Sequence, residues 1–382
     1  MSFKVANIID TFNSKSGGPP RTVSLIAEAG VGHWHADLFT TDYRESASDM
    51  LLFKDFPGHV NVLPSGSHTM LGGLCMVAGI SRSYESQLLR GVAPDVIHIH
   101  GMWSPYLAAF ALTANRNRIP YVVAPHGMLE PWSLTVRSVR KSLALKSYQG
   151  QILARAAAIH ATSNMEAENI RKLKIGNAPV FVIPNAVEEP PQASADEAVT
   201  VGGKKVLLFL SRIHEKKGLD ILLQAWNEIR PADWRLLIVG GGEARYLERL
   251  KQFCASNDVP DVEFVSHVEG RARELVFRSA SAFVLPTYSE NFGNVVAEAL
   301  IRGVPVITTT GTPWSAIVEK KCGWYVNPTI NELKQVIAEA TVTDVQTLKQ
   351  MGARGRDYAM ANFTVPVVSN ALLKMYQSAM NT

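Results

Sequence analysis

Residues 286–305 read Pro-Thr-Tyr-Ser-Glu-Asn-Phe-Gly-Asn-Val-Val-Ala-Glu-Ala-Leu-Ile-Arg-Gly-Val-Pro, and they place two carboxylates, Glu290 and Glu298, eight positions apart. The apolar run at 282–285 predicts a buried strand, and the pattern at 292–302 predicts a helix that a glycine ends. A helix N-terminus at the carboxyl end of a parallel strand favours phosphate, because its free N–H groups and its dipole face the anion. Two carboxylates beside such a site can accept hydrogen bonds from sugar hydroxyls.

Strand and helix patterns alternate along the rest of the chain. Strands are predicted at 4–9, 36–40, 60–63, 96–100, 121–124, 158–161, 180–183, 205–210, 235–239, 262–265, 282–285, 304–308 and 324–326. Helices are predicted at 21–30, 79–90, 106–115, 166–173, 219–227, 244–256, 271–278 and 365–380. This βαβ alternation is typical of α/β proteins with parallel, doubly wound sheets. After Asn185 the composition shifts to turn-forming residues, which predicts a linker between two such series.

The bulk composition indicates a globular protein of two domains. The chain has 382 residues, and its 47% hydrophobic content is enough for two cores. A net charge of +4 is too small to indicate a nucleic-acid-binding protein. The N-terminus shows no signal-peptide pattern, and no apolar run reaches the ~20 residues of a bilayer-spanning helix. The cysteines, Cys75, Cys254 and Cys322, are far apart, so we expect a cytoplasmic protein without a zinc site.

Six motifs occur in order along the chain. They are Gly17-Gly18, Asp95-Val-Ile-His-Ile-His100-Gly, Ala124-Pro-His126-Gly, Ile183-Pro-Asn185, Ser211-Arg212 followed by Lys216-Lys217-Gly218, and Glu290-x7-Glu298. In this order they resemble the retaining nucleotide-sugar glycosyltransferases of the GT-B fold, specifically the large family 4 that builds surface polysaccharides and glycolipids. The resemblance runs from about residue 5 to about residue 305. It implies an α/β architecture of two facing Rossmann-like domains with a catalytic cleft between them.

The predicted elements and the resemblance divide the chain into four parts. An N-terminal Rossmann-like domain at 1–187 would bind the acceptor, and 188–204 would be the linker. A C-terminal Rossmann-like domain at 205–364 would bind the nucleotide sugar. The last segment, 365–382, is a helix that the resemblance packs back on the N-terminal domain.

Four residues are predicted to carry the catalysis. Arg212 and Lys217 follow the first strand of the second domain, where open α/β sheets bind ligands, and both can reach a diphosphate that gains negative charge in the transition state. The resemblance places Glu290 near the hydroxyls of the donor sugar, with the departing phosphate taking the acceptor proton. His126, at a strand end, would hydrogen-bond a donor-sugar hydroxyl or shape the acceptor proton path. A covalent role for Glu290, as in double-displacement glycosidases, is the less favoured alternative.

Eight residues are predicted to bind the donor. By resemblance Glu298 holds the ribose hydroxyls, and the first glycine pair lets the loop backbone approach the β-phosphate. The donor-binding set is Gly17, Gly18, Gly241, Asn291, Phe292, Gly293, Asn294 and Glu298. Ser266-His267 stands where family members often carry the glycine of Phe-x-Gly, so the base of the donor stays open between UDP and GDP.

The positive field for the diphosphate is expected to come from the protein itself. The chain contains no Asp-x-Asp sequence, the usual ligand pair for a divalent metal that holds the diphosphate. Arg212, Lys217 and helix N-termini must then supply the charge. We therefore expect a metal-independent enzyme that needs no cofactor beyond its nucleotide-sugar co-substrate.

A basic stretch at 134–157 carries Arg137, Arg140, Lys141 and Lys146 among apolar residues. As a single helix it would have a basic amphipathic face of the kind that lies on an anionic membrane. Because the resembling enzymes commonly take lipid-linked acceptors in this half of the molecule, these residues are predicted to contact acceptor or membrane. The alternative is a solvated helix face whose apolar side packs in the core.

The sequence therefore predicts a retaining hexosyltransferase that moves a sugar from a nucleoside diphosphate to a surface-glycan acceptor on a lipid carrier. It would work at the inner face of the cytoplasmic membrane, as a peripheral protein. Two alternatives remain open. A nucleotide-sugar 2-epimerase of the GT-B fold would convert the donor alone, and a catalytically silent scaffold would bind the nucleotide sugar without turnover.

Overall fold

The computed structural model of the chain describes residues 2–12, 18–41, 56–63, 85–89, 93–191 and 203–382. It divides into two compact units. The first comprises Met1–Ala186 with Val365–Thr382, and the second comprises Val187–Thr364. None of the described helices is long and apolar enough to cross a membrane.

The first unit is built on a seven-stranded parallel sheet in the order β3-β2-β1-β4-β5-β6-β7. Its strands are β1 Phe3–Ile9, β2 Trp34–Thr41, β3 Gly58–Leu63, β4 Val96–His100, β5 Tyr121–Ala124, β6 Ala158–Ala161 and β7 Val180–Val182. Its helices are α1 Gly18–Ala29, α2 Pro105–Asn117, α3 Pro131–Thr135, α4 Ser138–Ala144, α5 Gly150–Ala154 and α6 Asn164–Lys172, with a π-helical turn at Leu145–Gln149. The central strands β4, β5 and β6 are buried along their whole length, as parallel strands covered on both faces must be.

The second unit repeats this plan with a six-stranded parallel sheet, in the order β10-β9-β8-β11-β12-β13. Its strands are β8 Lys205–Leu210, β9 Trp234–Val239, β10 Val262–Val265, β11 Ala282–Leu285, β12 Val306–Thr309 and β13 Gly323–Val326. Its helices are α7 Leu219–Ile229, α8 Ala244–Ser256, α9 Gly270–Ser279, α10 Asn294–Ile301, α11 Ala316–Glu319, α12 Ile330–Val342 and α13 Val345–Phe363, with a 3-10 turn at Glu215–Lys217.

The last helix, α14 Val365–Met380, follows the second unit in the chain but packs in the first. Tyr376 is fully buried, and its ring meets that of Trp34 edge-to-face at 5.2 Å between centroids. The Ser369 hydroxyl donates to the carbonyl oxygen of Ala29 at the end of α1, at 2.5 Å. Aromatic packing and a buried hydrogen bond therefore hold α14 against α1 and the sheet.

Many predicted boundaries differ from the observed ones by one or two residues, and two helix starts differ for a clear local reason. Helix α1 begins at Gly18 rather than near residue 21, because the prolines that follow fit the first helical turn, where their missing N–H groups are not needed. Helix α10 begins at Asn294 rather than at 292, because Gly293 adopts a left-handed φ of 77°. In the predicted helix at 79–90, residues 85–88 are helical, and 79–84 and 90 lie outside the described residues.

The basic stretch at 134–157 is not the single helix that the pattern suggested. Arg137 has a left-handed φ of 54°, which separates α3 from α4. From Ser138 the chain is helical through the π-helical turn and α5. The prediction of a single helix over this stretch is wrong, because nothing in the residue type of Arg137 indicates a left-handed backbone.

Candidate functional site

In the second unit the strand order reverses between β8 and β11, and the loops that follow these two neighbouring strands meet. The backbone N–H of Tyr288 and the hydroxyl of Thr287 both donate to the carbonyl oxygen of Lys216, each at 2.9 Å. Gly218 has a φ of 68°, and a Cβ there would overlap the carbonyl oxygen of Pro286. The sheet topology thus places the two loops at the edge where open α/β sheets bind ligands.

These two loops bring the side chains of Lys217 and Glu290 into contact. The Lys217 ammonium donates to Glu290 Oε1 in an ion pair, and the two side chains are only 12% and 14% exposed. Glu290 is fixed further by its backbone N–H, which donates to the carbonyl oxygen of Gly311 at 2.7 Å. The structure therefore brings together a cation and a carboxylate that the sequence placed 73 positions apart.

Arg212 lies on the same loop but in a different setting. Its side chain is exposed, and the next residue, Ile213, donates its N–H to the carbonyl oxygen of Gly241 at 2.8 Å. A Cβ on Gly242 would overlap the Ile213 backbone, so a glycine is needed for this close approach. Arg212 and exposed Gly241 consequently occupy adjacent loops after β8 and β9.

The loop before α10 is fixed by aromatic packing. Phe292 is buried, with its ring 5.1 Å from that of Trp314 and 5.8 Å from that of Phe363 between centroids. The indole N–H of Trp314 donates to the carbonyl oxygen of Phe292. The ring of Phe292 is thereby committed to the core, and only its backbone remains for a ligand. Gly293 and Asn294 are half-buried at the start of α10.

Glu298 lies on α10 and is paired with an arginine that the sequence did not single out. The Arg273 guanidinium donates to Glu298 Oε2, and the side chains are 28% and 24% exposed. Arg273 also lies 5.5 Å from the ring centroid of Phe277, within reach of a cation–π attraction. Its position on α9 gives no local signal, because the two residues are 25 positions apart.

In the first unit, His126 follows β5 by two residues and is half-buried with a left-handed φ of 51°. Such a φ is rare outside glycine, so the surrounding structure must hold it. The next N–H, that of Gly127, donates to Glu166 Oε1 at 2.6 Å, and Glu166 Oε2 accepts from the N–H of Thr162 at 2.7 Å. The buried carboxylate of Glu166, missed by the sequence analysis, anchors this turn.

His126 Nε2 lies 3.1 Å from His100 Nδ1, and their rings are stacked. His98 and His100 share one face of β4, with ring centroids 4.0 Å apart, and both are buried. His98 Nδ1 lies 2.8 Å from the hydroxyl oxygen of Tyr376, and His98 Nε2 lies 3.3 Å from Nδ1 of His160. The sequence analysis did not single out Tyr376 or His160. Burial lowers the pKa of His126 to about 3 and that of His160 to about 4.

Burial also holds the pKa of His98 and of His100 well below 6.5, and the neighbouring imidazoles lower both further. All four rings are therefore neutral near pH 7. A neutral imidazole has one nitrogen that donates and one that accepts, so the direction of each hydrogen bond follows from its neighbours.

The remaining predicted residues are located as follows. Gly18 is the exposed first residue of α1, and Gly17 lies outside the described residues. His126 and Gly18 belong to the first unit, whereas the other described catalytic and donor-binding residues belong to the second.

Helix α4 exposes apolar and basic side chains together. Val139 and Leu143, one turn apart, are 72% and 60% exposed. Arg137, Arg140 and Lys146 are exposed around them, and Lys141 lies over the ring of Trp103, 5.6 Å from its centroid. The apolar side chains of α4 are thus exposed, whereas further along the same basic stretch Leu145 and Tyr148 pack against the core and Ile152 and Leu153 lie within it, so the alternative stated for this stretch holds for that later part.

Comparison with known proteins identifies two matching families. Residues 17–186 match the family described as "Glycosyl transferase 4-like domain", and residues 204–341 match the one described as "Glycosyl transferases group 1". A D-inositol 3-phosphate glycosyltransferase of Xylanimonas cellulosilytica is 29% identical over 259 residues, covering 62% of this chain and 60% of the relative. Alpha-1,3/1,6-mannosyltransferase alg2 of Schizosaccharomyces pombe is 24% identical over 205 residues, covering 46% and 40%. The chain thus spans less than two thirds of either relative.

Among solved structures, Anabaena HepE in complex with UDP and glucose superposes with a TM-score of 0.80. The superposition covers 98% of this chain and 100% of HepE at 19% identity, so it shows a shared fold.

Proposed function

Because the chain belongs to the group 1 glycosyl transferases of family 4 and has the GT-B fold, we propose that it is a retaining glycosyltransferase that transfers a hexose-type sugar from a nucleoside diphosphate to a lipid-linked surface glycan. The observation that carries the proposal is the Lys217–Glu290 pair at the switch point of the second sheet. It offers a cation for phosphate beside a carboxylate for sugar hydroxyls, on loops that hydrogen bonds hold together.

In this reaction Lys217 and Arg212 neutralise the diphosphate as it departs. The start of α10 adds backbone N–H groups and the positive end of a helix dipole. A diphosphate competes with Glu290 for Lys217, so donor binding exchanges an internal ion pair for a pair with the ligand. The carboxylate is then available to accept hydrogen bonds from the sugar. With charge supplied in this way, we propose that the reaction needs no metal.

Glu298 and Arg273 form the second part of the donor site. A carboxylate accepts two hydroxyl hydrogen bonds, which suits the vicinal diol of a ribose. Arg273 holds the Glu298 carboxylate in one orientation. In the first unit, half-buried His126 is proposed to contact a hydroxyl of the donor sugar.

The proposal that the acceptor is carried on a lipid rests on the exposed side chains of α4. Exposed Val139 and Leu143 can enter the headgroup region, while Arg137, Arg140 and Lys146 meet anionic lipid. Each basic residue near an anionic surface contributes on the order of 1 kcal/mol of attraction. The protein would thereby be a peripheral one whose first unit meets the acceptor at the membrane.

The test is acceptor-dependent release of nucleoside diphosphate. The purified protein is incubated with a chelator, a crude lipid-linked glycan extract and UDP-, GDP-, ADP- or dTDP-sugars in turn. UDP-glucose is tried first, because HepE was solved with UDP and glucose. Release from one donor only when acceptor is present supports the proposal. Epimerised donor without acceptor would favour the epimerase, and tight nucleotide binding without turnover would favour the scaffold.

A further inference from the structure

Four histidines of the first unit, buried His98, His100 and His160 with half-buried His126, form two hydrogen-bonded rows. The donor-to-acceptor direction in each row follows from the group at one end of it. In the first row, Asn7 Oδ1 lies 3.2 Å from His100 Nε2. The amide of Asn7 is oriented by its own Nδ2, which donates to the carbonyl oxygen of Asp37. The end of the row is therefore an acceptor, so His100 Nε2 carries a proton.

The next step follows from the neutrality of the ring. With its proton on Nε2, His100 has a bare Nδ1, which can only accept. Its partner at 3.1 Å is His126 Nε2, and this nitrogen must then donate. The proton of His126 is thus on Nε2, and its Nδ1 has a free lone pair. That nitrogen forms no hydrogen bond with any of the described residues.

The second row, through His160 and His98, follows the same rule. The carbonyl oxygen of Ile183 accepts from His160 Nε2 at 2.9 Å, so His160 Nδ1 is bare. It accepts from His98 Nε2 at 3.3 Å, and His98 Nδ1 in turn accepts from the hydroxyl of Tyr376 at 2.8 Å. Every donor in this row meets an acceptor, as buried polar groups require. Both rows start at a fixed acceptor and leave each ring with its proton on Nε2.

From this geometry we propose that Asn7 and His100 are positioning residues that hold His126 in its Nε2–H tautomer, so that Nδ1 accepts a hydrogen bond from a hydroxyl of the donor sugar. This inference rests on the proposed function, in which His126 meets that sugar. A histidine with the opposite tautomer would present an N–H at the same place, and a sugar hydroxyl would have to accept instead.

The two tautomers make different demands on the substrate. An accepting Nδ1 requires a hydroxyl proton, so an analogue with fluorine at the contacted position loses the hydrogen bond. A buried site that expects a donor rejects such an analogue, because its own acceptor is left unpaired. By fixing the tautomer of His126, His100 therefore makes the site bind a group that donates a hydrogen bond. His100 itself does not contact the sugar.

The tautomer can be measured directly on the full chain labelled with [15N]histidine. Two-bond 1H–15N correlation spectra at pH 7.5 report which ring nitrogen of His126 is protonated, and His126→Gln assigns the signals. We expect a protonated Nε2 and a bare Nδ1 in the wild-type protein. A protonated Nδ1 would overturn the proposal, whatever any variant does.

Two variants of His100 then test the relay. His100→Leu removes the acceptor, and we expect His126 to populate both tautomers and the KM for the donor to rise about tenfold, with kcat changed less. His100→Asn places an amide oxygen near the lost Nδ1 and should restore both the tautomer and most of the donor affinity. An unchanged tautomer and KM in folded His100→Leu would refute the relay.

The donor KM of His126→Ala and that of His100→Leu together distinguish failure of this inference from failure of the proposed function. If His126→Ala leaves the donor KM unchanged, His126 does not contact the sugar, and both the sugar contact and the accepting role are refuted even when the tautomer is as expected. If His126→Ala raises KM but His100→Leu does not, the sugar contact stands and the positioning role falls. Both outcomes are read against acceptor-dependent release by the wild-type protein.

Discussion

The Lys217–Glu290 pair shows how one contact can hold two ligand groups ready for a substrate. Paired with each other, a cation and a carboxylate are partly desolvated without either charge being left unbalanced. A donor that carries both phosphate and hydroxyls can replace each partner at once. The pair is therefore consistent with a site that stays organised before the donor arrives.

Lys217→Ala is expected to lower kcat by about 100- to 1,000-fold, on the scale of losing one preorganised donor to the transition-state charge. The measurement is acceptor-dependent release of nucleoside diphosphate at saturating donor. Lys334→Ala is the matched control, since Lys334 forms an exposed ion pair with Glu228 on other elements of the same unit. A Lys217→Ala rate within about threefold of the control would remove Lys217 from the diphosphate site.

Glu298→Ala is expected to weaken donor binding about 5- to 50-fold, because two hydroxyl hydrogen bonds to a charged acceptor are lost. Titration calorimetry with the donor and with the free nucleoside diphosphate measures it, and both affinities should fall together. Glu319→Ala removes an exposed carboxylate paired with Lys320 and serves as the control. Wild-type affinity in Glu298→Ala would exclude the ribose role.

At the scale of elements, the sequence predicted the positions of the strands well and the starts of two helices poorly. Strands β4, β5, β6, β8, β10 and β11 have the predicted bounds, because runs of β-branched and apolar residues mark buried parallel strands. The starts of α4 and α10 were missed, since each depends on one left-handed residue, Arg137 or Gly293. In the site, the motifs identified Lys217 and Glu290 but not their contact.

The missing part of the site consists of tertiary contacts. Tyr376 and His98 are 278 positions apart, and no local period connects them. Glu166 lies in the first turn of α6, as its sequence indicates, but its second role of fixing Gly127 depends on how the start of α6 meets the turn after β5. Periodicity specifies faces of elements, and it does not specify which faces meet.

Helix α4 gives a prediction at this scale. Val139→Ser with Leu143→Ser should lower binding to vesicles that contain anionic phosphatidylglycerol by about tenfold or more, because two exposed apolar side chains no longer enter the lipid. Cosedimentation with the vesicles measures it, and vesicles of phosphatidylcholine alone should bind weakly from the outset. Val342→Ser is the control, as Val342 is 84% exposed on the other unit. Equal loss in the control would show that α4 is not the docking element.

At the scale of the whole molecule, the two units differ in their response to acid. The first holds four histidines in its hydrogen-bonded rows, and the second holds His214 and His267, both exposed. A histidine in the unfolded chain has a pKa near 6.5, whereas that of His160 in the fold is about 4. Between these values the unfolded state binds more protons, so the free energy of unfolding falls as the pH decreases.

From pH 7 to pH 5, His160 alone should remove about 2 kcal/mol from the stability of the first unit. Hydrogen exchange read by mass spectrometry at the two pH values, corrected for intrinsic rates, resolves this loss by segment. Peptides from β4, β5 and β6 should lose protection while those from β8 and β9 keep theirs. Between pH 7 and pH 8.5 the four rings are neutral in the fold and mostly neutral in the unfolded chain, so no comparable change is expected. Equal loss in both units would contradict the assignment.

The position of α14 has a consequence for the order in which the protein can be completed. The second unit is one continuous segment, so all of it has been synthesised when residue 364 leaves the ribosome. The first unit begins earlier but waits for its last helix, which brings Tyr376 to His98 and covers the sheet. Domains usually fold in the order of their synthesis. Here the half of the chain that is made first can only be finished last.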